Sequence, residues 1–161
     1  MKNLLKRILL MVILFSVFLR PISIIAAEIN DDFIEVPSGQ IDIKSSSSGS
    51  INTLAEPSLD ACDLGIGICS NGLGIEFTTR ATVIASEIGV KDIVLQEKTL
   101  LGWKDLSVRD HYEYDSDYYT GSVVYLKAQA GKTYRVYCTQ YAIIDDIEYT
   151  LYNYTDSIVY N

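Results

Sequence analysis

A chain of 161 residues with 21 acidic and 13 basic side chains carries a formal net charge of −8 at pH 7. That charge repels a phosphate backbone or an anionic lipid surface, so nucleic acid is not an expected partner. A single histidine excludes HExxH and two-histidine zinc sites by count, and the length suits one folded domain.

Residues 1–27 read as a secretory signal peptide. Met1-Lys2-Asn3-Leu4-Leu5-Lys6-Arg7 gives a basic start, a mainly apolar stretch runs from Ile8 to Leu19, and Ala26-Ala27 precedes acidic Glu28. Cleavage is expected after Ala27, with Ala26 as the second site. The alternative is an uncleaved anchor, but a spanning helix needs about 20 apolar residues, and Arg20-Pro21 interrupts the run. The nearest cysteine, Cys62, is too distant to accept a lipid at a cleaved N-terminus. The segment holds four basic residues and no acid, so nine basic and 21 acidic residues remain after cleavage, a formal net of −12. The mature chain is expected outside the cell or at its surface, without spanning a membrane.

Residues 28–58 have the composition of a flexible linker. Ser45-Ser46-Ser47-Ser48-Gly49-Ser50 follows Asp31, Asp32, Glu35 and Asp42. Phe33, Ile34, Val36, Ile41 and Ile43 leave open an edge strand or a short docking segment.

From residue 59 to 161 the period is two. Ile75, Phe77, Thr79, Ala81 and Val83 alternate with Glu76, Thr78, Arg80 and Thr82, a half-buried strand. Gly65, Gly67, Gly72 and Gly74 read as turns leading into it; Ser70 occupies the third position of a GxGxxG and no helical pattern follows. Asp92 to Lys98 is the next strand, and Leu101-Gly102 separates it from Trp103 to Val108, a hairpin. Gly121 to Ala128 directs Val124, Leu126 and Ala128 one way. After the Ala130-Gly131-Lys132 turn, Tyr134, Val136 and Cys138 share one face of a strand, with Arg135, Tyr137 and Thr139 on the other. Glu148 to Tyr152 and Ser157 to Tyr160 complete the set. With no sustained helical period, the chain is expected to be all-β, a single β-sandwich or small barrel.

Leu126 through Tyr134 resembles the tyrosine corner of fibronectin-type and related Ig-like domains. There the tyrosine hydroxyl bonds to backbone in the preceding turn. The resemblance implies an Ig- or fibronectin-like sandwich and assigns Tyr134 a structural role.

All 12 tyrosines lie between Tyr112 and Tyr160. Tyrosine suits half-exposed strands, and it also suits stacking on sugars or partner proteins. Alternation points to Tyr125, Tyr137 and Tyr141 as the candidate ligand face. Trp103, beside a turn, is expected to pack. Cys62, Cys69 and Cys138 allow at most one internal disulfide. The pairings considered are none, 62–69, and 69–138, with Cys138 otherwise a packed core residue.

Glu113, Asp115 and Asp117 alternate ahead of Gly121, in what reads as an acidic loop over 113–121. An EF-hand fails because Tyr118 and Val124 stand where Gly and Glu are required. A looser calcium site joining these acids to Asp145, Asp146 or Glu148 remains the candidate metal reading. His111 has no GxSxG elbow or cysteine signature to work with. Asn153-Tyr154-Thr155 fits a glycosylation sequon, relevant only in a eukaryotic secretory pathway.

Ser70-Asn71-Gly72-Leu73-Gly74-Ile75, the Thr79-Arg80-Ala81-Thr82 strand, Trp103, Gly131-Lys132-Thr133-Tyr134-Arg135-Val136 and Thr155-Asp156-Ser157-Ile158 together resemble an uncharacterised family of small secreted strand-rich proteins from Gram-positive bacteria. The resemblance spans residues 59–161 and implies secretion and a β fold. It carries no activity to transfer. The expectation is a secreted, non-enzymatic binding or cell-envelope module without a cofactor, meeting cell-wall glycan or another protein; the alternative is a released effector, immunity or inhibitor protein. If export occurs as the N-terminus implies, Edman sequencing of the secreted product should begin at Glu28, whereas a retained Met1 would identify an anchor.

Overall fold

The computed structural model describes residues 32–49 and 57–161. The expected signal peptide at 1–27 and both of its cleavage sites lie outside the described residues. Among the described residues there are nine strands and no helix: β1 (Phe33–Glu35), β2 (Asp42–Gly49), β3 (Leu59–Cys69), β4 (Gly72–Thr99), β5 (Gly102–Ser107), β6 (His111–Tyr125), β7 (Thr133–Ile144), β8 (Ile147–Tyr154) and β9 (Ile158–Val159). All pair antiparallel in one open sheet.

The axis of that sheet is β4, 28 residues long and without a proline. Its first half, from Leu73 to Arg80, lies between β3 and β6. Its second half pairs with β7 through Glu87–Glu97, and with β5 from Val94 onward. Register shifts fall between Arg80 and Ala85 and between Lys91 and Val94. Such shifts bend a strand, and Asp92 sits in the second with a φ of 52°. The bend lets both halves fill one core. Leu64, Ile66, Ile75 and Phe77 come from the first half of the sheet, and Ile93, Leu95, Val136 and Cys138 from the second. Strands β3 and β7 are not paired, yet their Cα atoms come within 8 Å.

Polar side chains join the halves where they meet. Gln140 of β7 is completely buried, and its Nε2 donates to Asp63 O at 2.9 Å and Thr78 O at 2.7 Å. Asn153 of β8 donates from Nδ2 to Cys62 O at 3.0 Å and to Gln140 Oε1 at 3.1 Å. Ser47 Oγ of β2 donates to Asn153 Oδ1 at 2.5 Å. Thr79 Oγ1 donates to Gly89 O at 3.0 Å across the bend of β4. Each amide is thereby satisfied inside the protein, which buried polar groups require. Asn153 is buried and committed to these bonds, so the sequon has no free acceptor.

The segment expected to be a flexible linker is instead paired in the parts described. β1 covers the free edge of β6, and the serine run forms β2 along β3. Gly65, Gly67 and Gly74 explain how β2 fits. Ser70-Asn71 alone forms the turn, while Gly65, Gly67, Gly72 and Gly74 lie within β3 and β4. A Cβ on Gly74 would sit 2.4 Å from Ile41 Cγ1, and one on Gly67 would sit 2.2 Å from Asp42 O. The missing side chains make room for the incoming chain, and Ile41 buries against Cys69 and Val124. The expected 113–121 loop is likewise strand, the middle of β6.

At the tyrosine corner, Tyr134 is fully buried and its hydroxyl accepts from Gln129 N at 3.1 Å. The same hydroxyl reaches Glu97 Oε2 at 3.4 Å, and Lys132 Nζ pairs with Glu97 Oε1 at 3.1 Å. Leu126, expected to face inward, is exposed because β6 ends at Tyr125. Between β7 and β8, Asp145 and Asp146 both adopt positive φ, as a two-residue hairpin turn of the primed type demands. Replacing the central amide removes donors from two carbonyls at once. Gln140→Leu is expected to cost about 2–3 kcal/mol, read as a lower urea midpoint at unchanged m-value; an unchanged midpoint would mean the halves are held by apolar contact alone.

Candidate functional site: an aromatic sheet face

Alternation along β7 decides which side chains leave the core. Tyr134, Val136, Cys138 and Gln140 point inward, so Arg135, Tyr137, Thr139 and Tyr141 share the opposite face. The β7–β8 register sets Tyr154 opposite Tyr137 and Tyr152 opposite Thr139. The rings form a row, with centroids 5.8 Å apart for Tyr137 and Tyr152 and 6.2 Å apart for Tyr152 and Tyr154. Tyr152 is 62% exposed and Tyr154 63%.

The face continues across β4 and β5. Trp103 lies opposite Lys98, and Gln96 opposite Arg135. Arg135 Cζ sits 4.2 Å from the indole centroid and Lys98 Nζ 4.9 Å. Arg135 Nε donates to Gln96 Oε1 at 2.7 Å, and Gln96 Nε2 donates to Asp105 Oδ1 at 2.6 Å. This chain of contacts holds the guanidinium over the ring. A guanidinium held this way presents donors to a carboxylate or hydroxyl at little further entropic cost. Beyond Trp103, the β4–β5 turn leaves Leu100 and Leu101 fully exposed.

The sequence candidates divide. Tyr137 lies on this face. Tyr141 does too, but it is only 4% exposed, because Lys91 Nζ covers its ring at 5.0 Å and its hydroxyl donates to Glu87. Burial and the Glu87 carboxylate push its pKa upward. Tyr125 is on the other side of the fold, 5% exposed, within the core beside Tyr134 and Phe33. Its ring is therefore not on this face: β6 is covered on both sides here, by the core on the Tyr125 side and by Ile41 on the Val124 side. Trp103, expected to pack, is half-buried beneath its two cations.

The metal candidates are not assembled. Glu113, Asp115 and Asp117 are exposed along β6, and Asp115, at a φ of 53°, breaks their alternation. No group of three His, Cys, Asp or Glu side chains among the described residues could hold a metal ion. The cysteines are all buried and free. Cys62 and Cys69 occupy the same strand seven residues apart, about 23 Å by strand rise and on opposite faces, which removes the 62–69 pairing. Cys69 packs with Ile41 and Val124, away from the Cys138 cluster, which removes 69–138.

Tyr152, Tyr154, Gln96 and Lys98 were not singled out from the sequence. The parity of β8 relative to Tyr137 would have found the two tyrosines, but only with the register known. Comparison of the chain with protein-family models, with curated proteins and with solved structures finds no match.

A concavity of about 310 Å³ lies beside β1 and the start of β6, lined by Phe33, Glu35, Val108, Arg109, His111 and Val123. The His111 ring packs 5.4 Å from Phe77, and its Nδ1 is 3.5 Å from Glu35 Oε1. Burial lowers the His111 pKa and outweighs the opposing pull of Glu35 and Asp110. The contact with Glu35 is thus made by a neutral imidazole, not an ion pair. Because the folded value lies below the unfolded one near 6.5, the unfolded chain binds the proton more tightly and stability falls as pH drops below about 6.5. An NMR titration of this single imidazole should give a pKa under 6.5; a value above it would show that the carboxylates dominate.

Proposed function

We propose that the chain is a secreted, non-enzymatic binding module that docks cell-wall glycan on the outer face of β5, β4, β7 and β8, within a β-sandwich of Ig/fibronectin type. The observation that carries the binding role is the row Tyr137–Tyr152–Tyr154 running into the Arg135–Trp103 stack. Tyrosine rings stack on the apolar faces of sugar rings, and the fixed guanidinium supplies donors for hydroxyl or carboxylate oxygens. The Tyr134 hydroxyl bond to Gln129 and the core shared between the two halves of the sheet support the sandwich. Secretion rests on the basic, apolar and small-residue order of residues 1–27. The excess of acid over base argues against nucleic acid. The absence of a nucleophile motif around His111 supports a non-catalytic role.

A released effector acting on another protein is the second reading, favoured by the same Tyr, Trp and Arg composition, which is typical of protein interfaces. Retention separates the two. Secreted protein should be pulled down by isolated cell wall and insoluble glycans. Tyr152→Ala and Tyr154→Ala, both at exposed positions, should each lower retention roughly three- to tenfold while changing stability by less than about 0.5 kcal/mol. If the unmodified protein stays in solution, wall binding is wrong and a protein target becomes the better reading.

A further inference from the structure

Cys62 and Cys138 lie on β3 and β7, two strands that approach each other where the two halves of the sheet are joined. In β3, Cys62 shares the inward row with Leu64 and Ile66; in β7, Cys138 shares it with Val136 and Gln140. Asn153, directly opposite Cys138 in the β7–β8 register, donates to the carbonyl of Cys62 itself. Gln140, the next inward residue after Cys138, donates to the carbonyl of Asp63. Two amides flanking Cys138 therefore grip consecutive peptides at Cys62. The two thiols are close enough that Cys62 acts electrostatically on Cys138. Cys69 faces the other side of β3.

We propose that Cys62 and Cys138 form an oxidative cross-link site that ties β3 to β7 through the core, leaving Cys69 as the single free thiol. The oxidant is a disulfide-bearing partner, a small disulfide or a thiol–disulfide oxidoreductase. One cysteine thiolate attacks a sulfur of that disulfide; the S–S bond breaks and one partner thiolate leaves, to be protonated. The second cysteine thiolate then attacks the mixed disulfide, forming the Cys62–Cys138 bond and releasing the second partner thiol. Two protein thiols are oxidised, one partner disulfide is reduced, and the protons lost by the cysteines end on the partner thiols.

The timing follows from burial. In the folded, reduced protein desolvation pushes both thiols up to about 12, so almost no thiolate exists at neutral pH. Before folding, both behave as ordinary thiols near 8.5. The cross-link thus forms while the chain is still open, in whatever compartment supplies the oxidant, and folding then encloses it.

The test is oxidative refolding of the full chain from urea in a glutathione redox buffer, with the folded monomer isolated and digested without reduction. The expected result is a peptide pair joining Cys62 to Cys138, and one free thiol per chain instead of three. Cys69→Ser should give the same pair and no free thiol. Refolded without oxidant, the protein should react with a thiol reagent at Cys62 and Cys138 at least a hundredfold more slowly than in urea. A monomer retaining three free thiols, or a pair containing Cys69, would overturn the proposal.

Discussion

The Gln140–Asn153 pair is the constraint on which the rest depends. Hydrophobic contact between the halves of a bent sheet is non-directional and would tolerate sliding. A buried amide does not tolerate it, because a shift by one residue would leave donors unsatisfied in the interior and turn the row inside out. With Gln140 bound to Asp63 and Thr78, the parity of β7 places Tyr134, Val136 and Cys138 in the core. The same fixed parity sends Arg135 and Tyr137 outward to meet Gln96 and Tyr152. The aromatic outer face and the core are two consequences of one register.

Much of this was legible in the sequence. Alternation located the strands around Ile75, Ile93 and Tyr134, and the Tyr134 corner hydroxyl finds the expected turn backbone. What stayed hidden depended on partners. Serine has little strand propensity, so β2 could not be recognised without the glycine-lined surface that receives Ile41 and the chain beside it. Gln140 and Asn153 look like surface residues until the halves close. Tyr141 has the parity of Tyr137, and only the geometry shows Lys91 lying over it. Tyr125 has the parity opposite to Val124, Leu126 and Ala128, yet Val124 and Tyr125 are both buried because each side of β6 is covered there.

The outer face also departs from the charge of the chain as a whole. In a strongly acidic protein, Lys98 and Arg135 are gathered on one indole. The indole offers these cations an attraction that does not neutralise them, as a carboxylate would. Asp105, bonded to Gln96 on the same face, sets a carboxylate beside the two cations, so both signs of charge border the tyrosine row.

The placement of β1 and β2 bears on self-association. These two segments occupy the open sides of β6 and β3. An unpaired strand flank offers a ladder of donors and acceptors to any neighbouring chain. Residues that look dispensable by composition therefore act as guards on the sheet. A protease cutting after residue 49 would sever β1 and β2 from the rest of the chain, and their loss would bare the longer flanks of β6 and β3.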